Sequence, residues 1–107
     1  MTYQMSFTNP REAMHEIEED IREGADIIMI KPAIPYLDLI YQAKKNTNLP
    51  ICAYSVSGEY ALIKAAAGKG LIDEDSAMTE SLTSIKRAGA DLIITYYAKK
   101  MAALLNE

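Results

Sequence analysis

Three polar residues stand where apolar runs end, and each has a chemistry to offer. Lys31 closes the run Ile27-Ile28-Met29-Ile30 and is followed by Pro32. A lysine amine against apolar walls has its ammonium form disfavoured by desolvation. As a neutral amine it can attack a ketone and form a Schiff base. Tyr96 follows Leu92-Ile93-Ile94-Thr95, and Ser57 follows Ile51-Cys52-Ala53-Tyr54-Ser55-Val56. Both hydroxyls are neutral donors, suited to orienting a carboxylate. A plainer reading stands beside each one. Lys31 could snorkel to solvent or pair with Asp38, Ser57 could serve only as a helix N-cap, and Tyr96 could be a core aromatic with a wet tip.

The elements that must position these groups alternate in type. Gly24-Ala25-Asp26-Ile27-Ile28-Met29-Ile30 is echoed by Gly89-Ala90-Asp91-Leu92-Ile93-Ile94. Each copy follows an amphipathic stretch that ends in charge, and glycine suits the left-handed residue just past a helix end. The apolar run after each glycine is short, as in a strand buried on both faces. Leu49 to Val56 reads as a third strand between the two copies. Helices are expected from Asn9-Pro10 to about Glu23, from Pro35 to Lys45, and from Ser57 to about Lys69, where Gly70 closes it. Two more run from an Asp73 cap to about Ala88 and from Ala98 to Leu105. Three strands alternating with helices in units of roughly 30 residues predict βα units and a parallel sheet. Lys31, Ser57 and Tyr96 then share one face of the sheet, at the strand ends where parallel α/β folds build their sites. An open three-layer α/β domain and part of a closed barrel both satisfy this pattern.

Composition narrows the classes. The 107 residues are 50% hydrophobic and 24% charged, with a formal net charge of -4. This is the balance of a globular chain with room for one modest core. No basic stripe favours nucleic acid, and no apolar run approaches the ~20 residues needed to cross a membrane. The pairs Lys44-Lys45 and Lys99-Lys100 read as solvated helix faces. Cys52 is the only cysteine; it reads as a buried strand residue, which fits a reducing, cytoplasmic setting. His15 reads as an exposed helical residue. No signal peptide is visible at the N-terminus.

Four motifs then carry a resemblance that spans nearly the whole chain in order. Met29-Ile30-Lys31-Pro32-Ala33-Ile34-Pro35-Tyr36-Leu37-Asp38 resembles M-V-K-P-G-M-P-Y-L-D of the 5-aminolevulinate dehydratase (porphobilinogen synthase) family. Ala53 to Ala61 resembles its A-Y-x-V-S-G-E-Y-A, and Arg87 to Tyr97 its R-A-G-A-D-x-I-x-T-Y-Y. Tyr3-Gln4-Met5 resembles the Y-Q-M that opens this part of the family sequence. Ala33 departs from the usual glycine and should perturb the loop after Lys31 only slightly.

The resemblance implies an α/β fold that is part of a TIM (β/α)8 barrel. Residues 1–107 would be the C-terminal segment of one catalytic domain, supplying about the last three βα units. It implies a lyase of tetrapyrrole and heme biosynthesis that condenses two 5-aminolevulinate molecules to porphobilinogen with loss of water. Lys31 would form the Schiff base. Ser57 and Tyr96 would hold the carboxylate of that substrate, and Gln4 the carboxylate of the other. Glu16 matches a glutamate that orders an allosteric magnesium through waters in some members, although it also sits among Glu12, Glu18, Glu19 and Asp20 on a solvated helix. A zinc site, a second active-site lysine, substrate-binding arginines and the arm that drives homo-oligomers would all lie upstream. The chain alone is therefore expected to be inactive and self-associating. Two other readings remain: a non-catalytic remnant or one half of a split enzyme, and an unrelated lysine-dependent aldolase, which leaves Ser57-Gly58-Glu59-Tyr60 and Tyr3-Gln4-Met5 unexplained.

Overall fold

The computed structural model describes residues 2–3 and 9–106. The expected punctuation sets the element boundaries. Helix α1 spans Pro10–Arg22; Asn9 accepts from the Glu12 amide through its side chain, and proline occupies the first turn, where its missing N–H costs nothing. Strand β2, Ile28–Ile30, follows Gly24, which takes φ of 94°. A 3-10 turn over Ile34–Tyr36 leads into α2, Leu37–Asn46, so this helical segment starts in the tighter form. Strand β3 covers Ile51–Ser55, and α3 covers Ser57–Gly68. Helix α4, Glu74–Ala88, is capped by Asp73, whose carboxylate accepts from the Ser76 amide at 2.9 Å. Strand β4, Leu92–Thr95, and α5, Ala98–Leu105, complete the order.

The strands form one sheet in the order β1-β2-β3-β4, every pair parallel. The three expected strands are β2, β3 and β4. The fourth, β1 at Thr2–Tyr3, pairs with Met29 and Ile30 of β2. Two residues are too few to show a period, so no sequence pattern announces it.

Register explains which side chains share a face. Ile28 lies opposite Ile51, and Ile30 opposite Ala53. All four are buried, and they pack with Ile17, Ile40, Met78 and Ile85 of the helices. Fully burying each of the larger side chains is worth about 1.5–3 kcal/mol. The alternate positions differ. Leu92, paired with Cys52, is 53% exposed, and Ile94, paired with Tyr54, is 43% exposed. Within the described residues one sheet face is covered by helices and the other is largely open, where burial of both faces is the sequence expectation. A short apolar run shows that a strand is to be covered, but not which part of a protein covers it.

Candidate functional site at the C-terminal strand ends

The site is built by the parallel ladder. Because β2, β3 and β4 run the same way, the residues that follow them emerge along one edge. Lys31 leaves β2 immediately after the Ile30–Ala53 pair, so the next position across is Tyr54. The Lys31 Nζ lies 6.0 Å from the Tyr54 ring centroid, near the outer limit for attraction between a cation and an aromatic face. The backbone after it is pinned to β3, since the Ala33 amide donates to the Tyr54 carbonyl at 3.0 Å. The Lys31–Pro32 peptide is cis. Lys31 is half-buried, and among the described residues it forms no salt bridge with Asp38.

Tyr96 follows β4 and is joined to the same group. The neighbouring Tyr54 hydroxyl, first as a hydrogen-bonding group and then through the charge of a second phenolate, with some desolvation, pushes the Tyr96 pKa above the ordinary tyrosine range. The phenol therefore stays a donor at neutral pH. Tyr60 of α3 packs beside it with ring centroids 5.5 Å apart, and beside Tyr97 at 4.7 Å. Lys31, Tyr54 and Tyr96 thus gather at the strand ends on the open side of the sheet, with Tyr60 packed between Tyr96 and the core.

Ser57 is the first residue of α3, exposed, at the same end of β3. Val56 and not Ser57 occupies the N-cap position, and no side chain caps that helix. Among the described residues Ser57 makes no hydrogen bond to Lys31 or Tyr96; Lys31 and Tyr96 each lie beside Tyr54, and Ser57 stands apart at the same end of the sheet. Gln4 lies outside the described residues. Glu16 is exposed on α1, far along the sequence from the strand-end group, and His15 beside it is exposed and 3.7 Å from Glu19. Among the described residues no cluster of three or more His, Cys, Asp or Glu could hold a metal ion. Glu16 could serve magnesium only as a single carboxylate acting with waters, a mode that ion accepts. Cys52 is buried, and burial pushes its thiol pKa up, so it is no ready nucleophile.

Two residues around Lys31 carried no separate signal in the sequence. Tyr54 needed the strand register before it could be placed against Lys31. Glu59 needed the tertiary fold: its Oε1 accepts from the Ile34 amide at 2.6 Å, across 25 positions of sequence. A concavity of about 570 Å³ lined by Asp75, Thr79, Thr83 and Arg87 runs along α4, away from these residues. The strand-end group lies on an open surface.

Parallel strands whose reactive side chains gather at their C-terminal ends define the class, an α/β segment of the kind that makes up TIM barrels. The chain belongs to the delta-aminolevulinic acid dehydratase family, whose model matches residues 1–104. It is 57% identical to the delta-aminolevulinic acid dehydratase of Synechocystis over 99% of this chain and 32% of that protein. It is 59% identical to that of Archaeoglobus fulgidus over 97% of this chain and 32% of that protein. Among solved structures it superposes with TM-score 0.91 on the Toxoplasma gondii enzyme in complex with the reaction product porphobilinogen, 52% identical, covering 95% of this chain and 29% of that one. The chain therefore spans about a third of the length of these relatives. No helix among the described residues is long and apolar enough to cross a membrane.

Proposed function

We propose that this chain supplies the Schiff-base lysine and part of the substrate-carboxylate surface of a porphobilinogen synthase, as the C-terminal segment of its barrel. The carrying observation is the placement of Lys31, Tyr54 and Tyr96 side by side at the C-terminal strand ends of a parallel sheet, with the Lys31 Nζ 6.0 Å from the Tyr54 ring centroid. Family membership and the product held by the Toxoplasma gondii relative support the choice of substrate. The Lys31 amine adds to the ketone carbon of one 5-aminolevulinate, water leaves, and the resulting imine activates the neighbouring carbon for joining to the second molecule. Tyr96 and Ser57 donate hydrogen bonds to the carboxylate of that substrate and fix its ketone over Lys31, an orientation role. Gln4 holds the carboxylate of the second substrate. Glu16 orders a magnesium ion through waters, away from the chemistry, and no step runs through it. Any zinc site belongs to sequence outside these residues. The setting is cytoplasmic, and the full-length protein assembles with copies of itself.

Borohydride reduction of the full-length protein in the presence of 5-aminolevulinate, followed by peptide mapping, tests the assignment. Label should appear on Lys31. Label confined to other lysines would remove Lys31 from the chemistry.

A further inference from the structure

The loop that carries Lys31 is held at two points by the β3–α3 unit. The Ala33 amide donates to the Tyr54 carbonyl at 3.0 Å, and the Ile34 amide donates to Glu59 Oε1 at 2.6 Å. The second bond comes from a charged side chain, which makes it the stronger kind. It also falls where the backbone needs it. Ile34 opens the 3-10 turn that leads into α2, and Ala33, its N-cap, has no side-chain oxygen to satisfy the first free amide. Glu59 provides that cap from another element. Its own helix gives it a second reason to stay: as an acid in the first turn of α3 it lies at the favourable end of the helix dipole. Its other oxygen, Oε2, is buried with no hydrogen-bond partner among the described residues.

We infer that Glu59 is a positioning residue for Lys31: it caps the Ile34 amide and so fixes the short loop on which the amine stands relative to Tyr54 and Tyr96. Only Pro32 and Ala33 separate Lys31 from the capped amide, and the Ile30–Ala53 ladder fixes the other end of the loop. A shift of the capped end is passed towards Lys31 through Pro32 and Ala33, opposed by the single Ala33–Tyr54 bond. The inference rests on the reading of Lys31 as the imine-forming lysine.

The test is the rate of borohydride-trapped adduct at Lys31 in the full-length protein, measured against 5-aminolevulinate concentration. Glu59→Ala should slow trapping at saturating substrate about tenfold or more, with the half-saturating concentration little changed, because misplacement by ~1 Å can cost up to a hundredfold. Glu59→Gln, whose amide oxygen can accept the same bond, should return the rate to near the wild-type value; a residue that merely contributed charge or stability would not show this split. If Glu59→Ala does not fold, Glu59→Asp, one methylene too short to reach, takes its place and should trap slowly while Glu59→Gln traps normally. A wild-type rate in the Ala variant, or in the Asp variant where it takes that place, or a Gln variant as slow as the shortened one, would overturn the inference while leaving the Schiff-base reading intact. A wild-type protein that turns over without label on Lys31 would overturn both.

Discussion

Tyr96 is 56% exposed and its hydroxyl is engaged with Tyr54, so its removal should change recognition and not folding. Replacing Tyr96 by Phe keeps the ring against Tyr60 and deletes only the donor. A hydrogen bond to a charged group is worth about 1.5–3 kcal/mol. Steady-state kinetics of the full-length Tyr96→Phe protein should therefore show KM for 5-aminolevulinate raised roughly tenfold or more, at an unchanged melting temperature. Unchanged kinetics would remove Tyr96 from the site. Glu16 makes the contrasting case: Glu16→Ala should abolish stimulation by magnesium and preserve basal turnover, and normal stimulation in that variant would leave Glu16 as a solvated helical residue. At this scale much was legible. Lys31 and Tyr96 announce themselves because a polar residue ends an apolar run. Tyr54 and Glu59 do not, because their roles depend on register and on a contact between distant segments.

At the scale of elements, the repeated Gly-Ala-Asp motif looks symmetric in sequence and is not symmetric in structure. Gly24 has φ of 94° with open space around an added Cβ, whereas at Gly89, φ 128°, a Cβ would lie 2.9 Å from the Lys44 Cβ. Asp91 accepts from Lys44 Nζ and from the Ile51 amide, each at 2.8 Å, and so ties α2 and the start of β3 to β4. Among the described residues Asp26 has no such pair. Gly24→Ala should cost about 1 kcal/mol from backbone strain, and Gly89→Ala clearly more, read as separate shifts in the urea midpoint. Equal losses would show that the approach to Lys44 relaxes freely. The lysine pairs that read as solvated faces also acquire partners here, Lys44 with Asp91 and Lys100 with Glu74 and Asp75.

Glu74 joins three elements, since Lys100, Lys64 and the Tyr97 hydroxyl all donate to it, and these bonds hold its carboxyl down to about 2. Tyr97 is in turn pushed up to about 12, by burial first and then by Glu74. A carboxylate whose folded pKa is lowered stabilises the fold above its unfolded pKa, and that contribution disappears as pH falls from there towards about 2. The urea midpoint should therefore decline between roughly pH 5 and pH 2, and Glu74→Gln should flatten that decline while lowering the midpoint at pH 7. An equally steep decline in the variant would assign the acid sensitivity to other carboxylates. Caps and turns of these elements were readable from Asn9, Asp73, Gly24, Gly70 and Gly89 because each acts on its own neighbours. The Glu74 hub was not, because its partners come from α3, from the turn between β4 and α5, and from α5.

The whole molecule is a slab, 46 by 31 by 18 Å, with helices packed on one side of its sheet. On the other side Ile27, Leu92 and Ile94 stay 40% to 53% exposed, with Tyr96 beside them. Strand β4 ends the strand order, so its outer edge carries backbone donors and acceptors with no strand beside them among the described residues. An apolar face bordered by an unpaired edge is a template for another chain. The isolated 107 residues should therefore form a dimer or larger assembly, and should make no porphobilinogen, since one substrate lacks the groups that would orient it. Sedimentation velocity across a range of concentrations reads the first outcome. Ile94→Lys places a charge in the middle of the open face, where no buried core residue is disturbed, and should shift the distribution towards monomer with helical content unchanged. A wild-type chain that sediments as a monodisperse monomer and unfolds cooperatively would show that the open face is tolerated in water. Porphobilinogen formation by this chain without any other would show that these four strands hold both substrates unaided.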